Sequence, residues 1–371
     1  MKINLTYIIS NTNKALQFEW VALHLNKNLF NLHFILLNPG DSAFETFLKQ
    51  HHFPVTRVTY TGKRDILPAL FSVYKTLKKY KSTIVHTHLV DASLIGLTAA
   101  WLAGIKKRIT TRHHCDFHHQ YYPQAVKYDR YVNTVATHII SISDVVHTVL
   151  TENEFVKKEK IHTIHHGFLL DAFLNVSNQQ KEQMQSKYGT KGRYPLIGVI
   201  SRYIEWKGIQ YIIPAFGKLL HEYPDALLIL TDVGGSYKKE ITELLKKIPS
   251  KNYLEISFEP DVYVLYQLFD LFVHAPVAKN QEAFGQTYVE ALAAGVPSVF
   301  TLAGIACEFI EDRHNALVVP YENQEAIYQA MLTLLNDKIL SAKLIAEGKK
   351  DVISKFSLNN MITGLEQLYT T

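Results

Sequence analysis

Cysteine is nearly missing from these 371 residues: Cys115 and Cys307 are the only two, far apart in the chain. That excludes a disulfide framework and a zinc knuckle, and a reducing compartment is the expectation. Long apolar runs are missing too. The most apolar stretch, Leu89 to Ile105, contains Asp91 and falls short of the roughly 20 residues that cross a bilayer, so it reads as a buried helix. The opening residues, MKINLTYIISNTNKALQFEW, lack the apolar core and small-residue cleavage site of a signal peptide and read as a first strand. No Gly-x-Gly-x-x-Gly follows that strand. The loop is Ser10-Asn11-Thr12-Asn13-Lys14, which argues against a dehydrogenase. Basic residues are not interleaved with aromatics in any known nucleic-acid motif, so no nucleic-acid partner is expected.

What is present is a globular composition, 47% hydrophobic and 20% charged. The length suits two domains, each with its own core. Charge is uneven: residues 1–175 hold 20 Lys and Arg against 12 Asp and Glu, whereas residues 176–371 hold 19 against 22. A basic half points to anionic lipid, a phosphorylated acceptor or nucleic acid, with an ordinary solvated surface as the plain alternative. Histidine is skewed the same way, 15 of 18 preceding residue 176.

Short β-branched runs alternate with helical patterns, the mark of parallel sheets wrapped by helices. Strands are expected at Ile3–Ile9, Leu32–Leu37, Val55–Tyr60, Thr83–His86, Arg108–Thr111, His138–Ile142 and Lys160–Ile164. After a polar connection, Asn175 to Arg193, the pattern restarts with Leu196–Ile200, Ala226–Leu230, Tyr253–Phe258, Leu271–His274, Val296–Phe300 and Ala316–Val319. The last helix, Leu358–Tyr369, is amphipathic.

The most informative stretch is Asn280 to Phe300, NQEAFGQTYVEALAAGVPSVF. An exposed acidic turn at Gln281-Glu282-Ala283 precedes Phe284-Gly285, and a helix over Gln286–Ala294 ends at Gly295 with Pro297 behind it. A turn that opens a helix offers backbone N–H groups and the positive end of the dipole to an anionic ligand. This stretch resembles the Glu-x7-Glu signature of retaining, nucleotide-sugar-dependent glycosyltransferases of family 4, with Glu282 and Glu290 as its carboxylates. Ser201-Arg202-Tyr-Ile-Glu-Trp-Lys207-Gly208 is similar to that family's Gly-Arg-x4-Lys-Gly loop, with Ser201 in place of the glycine. Ile109-Thr-Thr-Arg-His113-His114 resembles its strand ending in Thr-x-His. Two departures stand out: the usual Gly-Gly pair is absent from the first loop, and Thr231 to Gly235 matches Gly-x-Gly-Pro only loosely.

The resemblance implies a GT-B fold: two doubly wound Rossmann-like α/β domains facing a cleft, over residues 1–175 and 176–355, with residues 356–371 crossing back onto the first. Arg202 and Lys207 are then expected to hold the diphosphate, since fixed cations stabilise a leaving group gaining negative charge. Glu290 is expected on the ribose hydroxyls and Glu282 on the donor sugar. The N–H groups of Phe284, Gly285 and Gln286 complete the anion site. His113, or its neighbour His114, faces the reacting sugar. His86 and His88 read as strand-end histidines satisfied by neighbouring backbone.

The run His113-His-Cys-Asp-Phe-His-His119 contains good ligand types, but its spacing matches no standard zinc pattern, and it reads as a loop lining the acceptor side. No Asp-x-Asp occurs either, so neither metal nor cofactor is expected. Asp116 is the acidic residue to test if a double displacement operates. The expected partners are a UDP- or GDP-sugar, a glycan or lipid-linked acceptor, and an anionic membrane surface reached through Lys75, Lys78, Lys79, Lys81 and Lys106-Lys107-Arg108. That places the protein in the cytoplasm, peripheral on the inner face of the membrane, in polysaccharide synthesis. The competing readings are an epimerase or phosphorylase of the same fold, and a non-catalytic partner subunit.

Overall fold

A computed structural model describes residues 2–371. By its contacts the chain divides into two units, residues 1–168 with 358–371, and residues 169–357. The first division falls before 175 because the short helix Asp171–Leu174 packs with the second unit. There Phe173 is fully buried, its ring 4.7 Å from Tyr263, and its carbonyl accepts from Gln267.

The first unit is built on seven strands: β1 Ile3–Ser10, β2 Phe30–Asn38, β3 Val55–Thr59, β4 Ile84–His88, β5 Lys107–Arg112, β6 His138–Ser141 and β7 Ile161–Thr163. They pair in the order β3-β2-β1-β4-β5-β6-β7, each pair parallel. The second unit has six: β8 Leu196–Ile200, β9 Leu227–Thr231, β10 Tyr253–Ile256, β11 Leu271–His274, β12 Ser298–Phe300 and β13 Leu317–Val318. Their order is β10-β9-β8-β11-β12-β13, again parallel. Central strands such as Leu196-Ile-Gly-Val-Ile200 are apolar throughout because helices cover both faces.

Chain order reverses between β1 and β4 in one sheet and between β8 and β11 in the other. Doubly wound sheets bind ligands at such switch points, outside the carboxyl ends of the strands. Those ends deliver Ser10 and His88 in the first unit, and Ile200 and His274 in the second.

The last helix, Leu358–Thr370, belongs to the first unit. Leu358, Met361, Ile362, Leu365, Leu368 and Tyr369 recur at helical spacing and join the core formed by Leu5, Tyr7 and Ile9. Elements the sequence pattern did not reveal are Lys238–Leu245, Ala306–Phe309 and Phe117–Tyr121. The third corrects the reading of the histidine run: its second half is a short helix, which turns His118 and His119 toward buried carboxylates.

Candidate active site

In the second unit, β8 runs into Ser201 and exposed Arg202, then into a tight turn, Glu205–Lys207. Gly208 ends the turn at φ 72, and a Cβ there would stand 1.8 Å from the Ala275 carbonyl oxygen. Glycine lets this turn lie against the end of β11, and so brings Lys207 to the strand that ends in His274.

Glu282 is where the structure departs most from expectation. It is not on an exposed turn but 7% exposed, with the Lys207 ammonium ion-paired to its Oε1. His274 Nε2 lies 3.2 Å from the same oxygen, off the line of a good hydrogen bond. Burial alone would raise the Glu282 pKa; Lys207 and His274 override it and hold the carboxyl at about 2. Burial lowers the pKa of His274, and Glu282 pulls the other way. An ammonium has three donors, so Lys207 can hold Glu282 and still offer N–H groups to an anion.

Glu290 does not join this pair. It sits inside the helix Gln286–Ala294 and accepts from the Tyr266 hydroxyl at 3.0 Å. Burial raises its pKa to about 7, the charge of Asp232 adding to the rise and the Tyr266 bond opposing it. Asp232 follows β9 in the left-handed region, φ 69, and its own pKa is raised by burial against the pull of Arg202 and Lys207. Asp232 therefore lies within electrostatic reach of both cations and of Glu290. The helix opens on Gly285, φ 86, without a side-chain cap. No protein acceptor takes the N–H of Gly285 or Gln286 among the described residues. Phe284 is buried beneath the turn. The hydroxyls of Ser201, Thr231 and Thr287 are buried without hydrogen-bond partners among the described residues.

In the first unit, β4 and β5 carry the histidines. His86 bonds Tyr369 Oη through Nδ1 at 2.7 Å and Thr111 Oγ1 through Nε2 at 2.8 Å. His88 Nδ1 lies 3.0 Å from His113 Nε2. These two are therefore held by side chains, not by neighbouring backbone as expected. His113 stacks on His166, ring centroids 5.7 Å apart, and His166 meets Gln17. Burial lowers all four pKa values, His113 to about 4 and His86 to about 3, so all are neutral near pH 7.

His114 goes elsewhere. Its Nε2 is 2.7 Å from Arg112 Nη1 and 3.2 Å from Asp129 Oδ1. Adjacent residues leaving a strand point to opposite sides, so the two candidates serve different surroundings. Arg112 is buried and ion-paired to both Asp129, at 2.6 Å, and Glu154; His118 adds a bond to Asp129 at 2.7 Å. His114, His118 and Asp129 place ligand-type atoms within 4.8 Å of one another. The Arg112 guanidinium already supplies the positive charge there, so the group reads as a hydrogen-bonded ion cluster. A cavity of about 130 Å³ opens beside it, lined by Thr111, Arg112, His113, His114 and Asp129 among others. Asp116 is buried and accepts from Gln120 at 2.6 Å.

Sequence reasoning missed His274, Tyr266, Asp232 and the pairing role of His88. Strand-end position was the available signal for His274 and Asp232. Tyr266 gave none.

Two parallel-sheet Rossmann-like units, one with a Lys–Glu pair beside an uncapped helix mouth, define a GT-B glycosyltransferase. The chain matches the model for Glycosyltransferase Family 4 over residues 21–171 and that for Glycosyl transferases group 1 over residues 180–351, and it belongs to that family. It is similar to the capsular polysaccharide biosynthesis glycosyltransferase CapM of Staphylococcus aureus, 26% identical over 341 residues and 87% of each chain. It is also similar to the UDP-Gal:alpha-D-GlcNAc-diphosphoundecaprenol alpha-1,3-galactosyltransferase of Escherichia coli, 21% identical over 82% of this chain and 79% of that one. Among solved structures, HepE from Anabaena in complex with UDP-glucose superposes with a TM-score of 0.84 at 21% identity, covering 99% of this chain and all of that one. That likeness is one of fold.

Proposed function

We propose that the protein transfers a sugar, with retention of anomeric configuration and without a metal ion, from a UDP- or GDP-sugar to a lipid-linked saccharide in cell-surface polysaccharide synthesis. The observation that carries this is the pairing of half-buried Lys207 with buried Glu282 beside the mouth of the helix Gln286–Ala294. Arg202 and Lys207 would take the diphosphate, helped by the N–H groups of Gly285 and Gln286. Glu282, ionised and fixed, would accept from donor-sugar hydroxyls, and Glu290 from the ribose diol. In the first unit His113 would meet the reacting sugar. A departing phosphate oxygen would take the acceptor's proton, so no protein nucleophile is assigned. The acceptor class is supported by relatives named for capsule synthesis and for a diphosphoundecaprenol substrate.

The test is nucleotide binding and slow donor hydrolysis over UDP-, GDP- and ADP-sugars. One donor is expected to bind and release its nucleotide, and Arg202→Ala is expected to weaken that binding roughly 10- to 100-fold, the worth of a charge-assisted bond. A folded protein that binds none of them is a non-catalytic partner instead.

Glu290 supplies a second check. A carboxylate only accepts, and so suits a diol better than the protonated acid does. With its pKa raised to about 7, binding should tighten roughly tenfold from one pH unit below that value to one above. Glu290→Gln should flatten this slope in calorimetric titrations. The same raised pKa subtracts stability as pH climbs from 4.5 through 7, because the folded state holds the proton more tightly.

A further inference from the structure

The short helix Phe117–Tyr121 carries a row of rings away from the cavity in the first unit. The row starts at His114, which lines that cavity together with His113. The His118 ring stands 4.5 Å from His114, and the Phe117 ring 5.9 Å from His118. Phe117 in turn meets two consecutive tyrosines, Tyr121 at 5.5 Å and Tyr122 at 5.3 Å between ring centres. Those two are 42% and 49% exposed.

Consecutive residues on one helix do not face each other, whereas residues four apart do. Tyr121 reaches Phe117 in the second way. Tyr122 reaches it because the helix stops between the two tyrosines: Tyr122 lies at φ −140, ψ 62, and Pro123 behind it disfavours a return to the helical region. Both rings thus rest on one half-buried phenylalanine and are ordered before any ligand arrives, which lowers the entropic cost of binding.

Charge is nearly absent here, in a unit otherwise rich in cations. From His113 to Val126 there is no Lys or Arg, and the one acid, Asp116, is buried and accepts from Gln120. The surface offers ring faces, phenolic hydroxyls and the exposed amide of Gln124. A phosphorylated ligand would find no cation among these residues, and a wholly apolar one would strip water from the hydroxyls. A pyranose ring has C–H groups on its faces and hydroxyls around its rim, so it matches both the apolar body and the polar tip of a tyrosine.

We propose that Tyr121 and Tyr122, braced by Phe117, form a stacking platform for uncharged hexose or N-acetylhexosamine units of an oligosaccharide acceptor, behind the sugar that receives the new residue. The transferase then extends a chain already begun and does not place the first sugar on a carrier. This rests on the reading that the acceptor is a saccharide whose reacting sugar meets His113, and it adds the chain length that acceptor needs.

The experiment is an NMR titration of the full chain with glucose, mannose, galactose and N-acetylglucosamine, each as the monosaccharide and as a linear tetrasaccharide. At least one tetrasaccharide is expected to bind roughly tenfold or more tighter than its monosaccharide. Tyr121→Ala with Tyr122→Ala should remove that gain, since one aromatic contact is worth up to about tenfold. Tyr121→Phe with Tyr122→Phe keeps the ring faces and should keep most of the gain. Both side chains are exposed, so these variants fold. The proposal is overturned if no tetrasaccharide binds, if binding does not grow with length, or if the alanine pair binds as the wild type does. It is also overturned if the phenylalanine pair loses as much as the alanine pair, or if the protein dimerises through these tyrosines, which gives the surface to a second copy. Donor hydrolysis on the same samples separates the two levels. Absent oligosaccharide binding with intact hydrolysis removes the platform and leaves the transferase, and the reverse result removes the transferase and leaves a saccharide-binding surface.

Discussion

Lys207→Ala is expected to lower kcat/KM by roughly 100- to 1,000-fold, the usual cost of removing one fixed donor from a charge that grows in the transition state. It should also destabilise the second unit by about 3 kcal/mol, because the substitution leaves Glu282 buried without its cation. The two losses have different origins and separate on a second substitution. Adding Glu282→Gln to Lys207→Ala removes the stranded charge, so most of the stability should return in urea unfolding while turnover stays low. Acid gives an independent check. The folded pKa of Glu282, about 2, lies below its ordinary value of 4.5. The stability this supplies is complete above 4.5 and is lost as pH falls through 2. Without Lys207 the buried carboxyl titrates higher than in the wild type, so the deficit of Lys207→Ala should be largest at neutral pH, begin to shrink above the ordinary 4.5 and be smallest near 2. A deficit independent of pH would show that Lys207 acts through packing and not through charge.

The double dependence on one lysine explains what could be read from the sequence and what could not. Parallel strands with helices between them were legible because their signals are local: β8, β11 and the helix Gln286–Ala294 fall where the pattern of apolar residues, Gly295 and Pro297 places them. Motif spacing singled out Arg202, Lys207, Glu282 and Glu290 as candidates, and the fold brings Lys207 and Glu282 into contact. Their environment was not legible. Gln281-Glu282-Ala283 reads as an exposed acidic turn because its neighbours in sequence are polar. Glu282 is buried within it because two distant segments cover that side chain, the turn before Gly208 and the end of β11. The pKa of Glu290 depends in the same way on Tyr266 and Asp232, 24 and 58 positions earlier in the chain. Composition and period do not encode such meetings; the strand order does. The alternation of strand side chains does separate His113 from His114, but only Arg112, at the end of β5, and Asp129, on the helix Val126–Val135, show where His114 goes.

His113→Ala is expected to lower kcat by at least about 100-fold, within the range for a positioned histidine. The partner histidine makes this prediction specific. His88 Nδ1 faces His113 Nε2 at 3.0 Å, and both rings are neutral, so one nitrogen donates and the other accepts. If His113 donated, His88 would carry its proton on Nε2, a buried atom with no partner among the described residues. An orphaned buried N–H is rarer and costlier than an orphaned lone pair. The favoured arrangement therefore has His88 donating through Nδ1, which leaves His113 with its proton on Nδ1, the donor that the proposed contact with a sugar hydroxyl would use. His88 is thus a positioning residue. His88→Leu removes that donor and puts an apolar side chain in an apolar place, so stability should hold or rise while kcat falls roughly tenfold. His88→Asn restores an N–H at the position of Nδ1 and should recover most of kcat. KM for the donor should change little in both, since the proposed donor contacts are made by residues of the second unit. Acid sensitivity marks the same cluster. The unfolded histidines take protons near 6.5, whereas His113 resists until about 4 and His86 until about 3. Stability is therefore lost as pH falls from 6.5 toward 4, and His88→Leu should lessen that loss by deleting one buried base. A His88→Leu protein that turned over like the wild type would show that His113 keeps its tautomer unaided, and the pairing would then be packing alone.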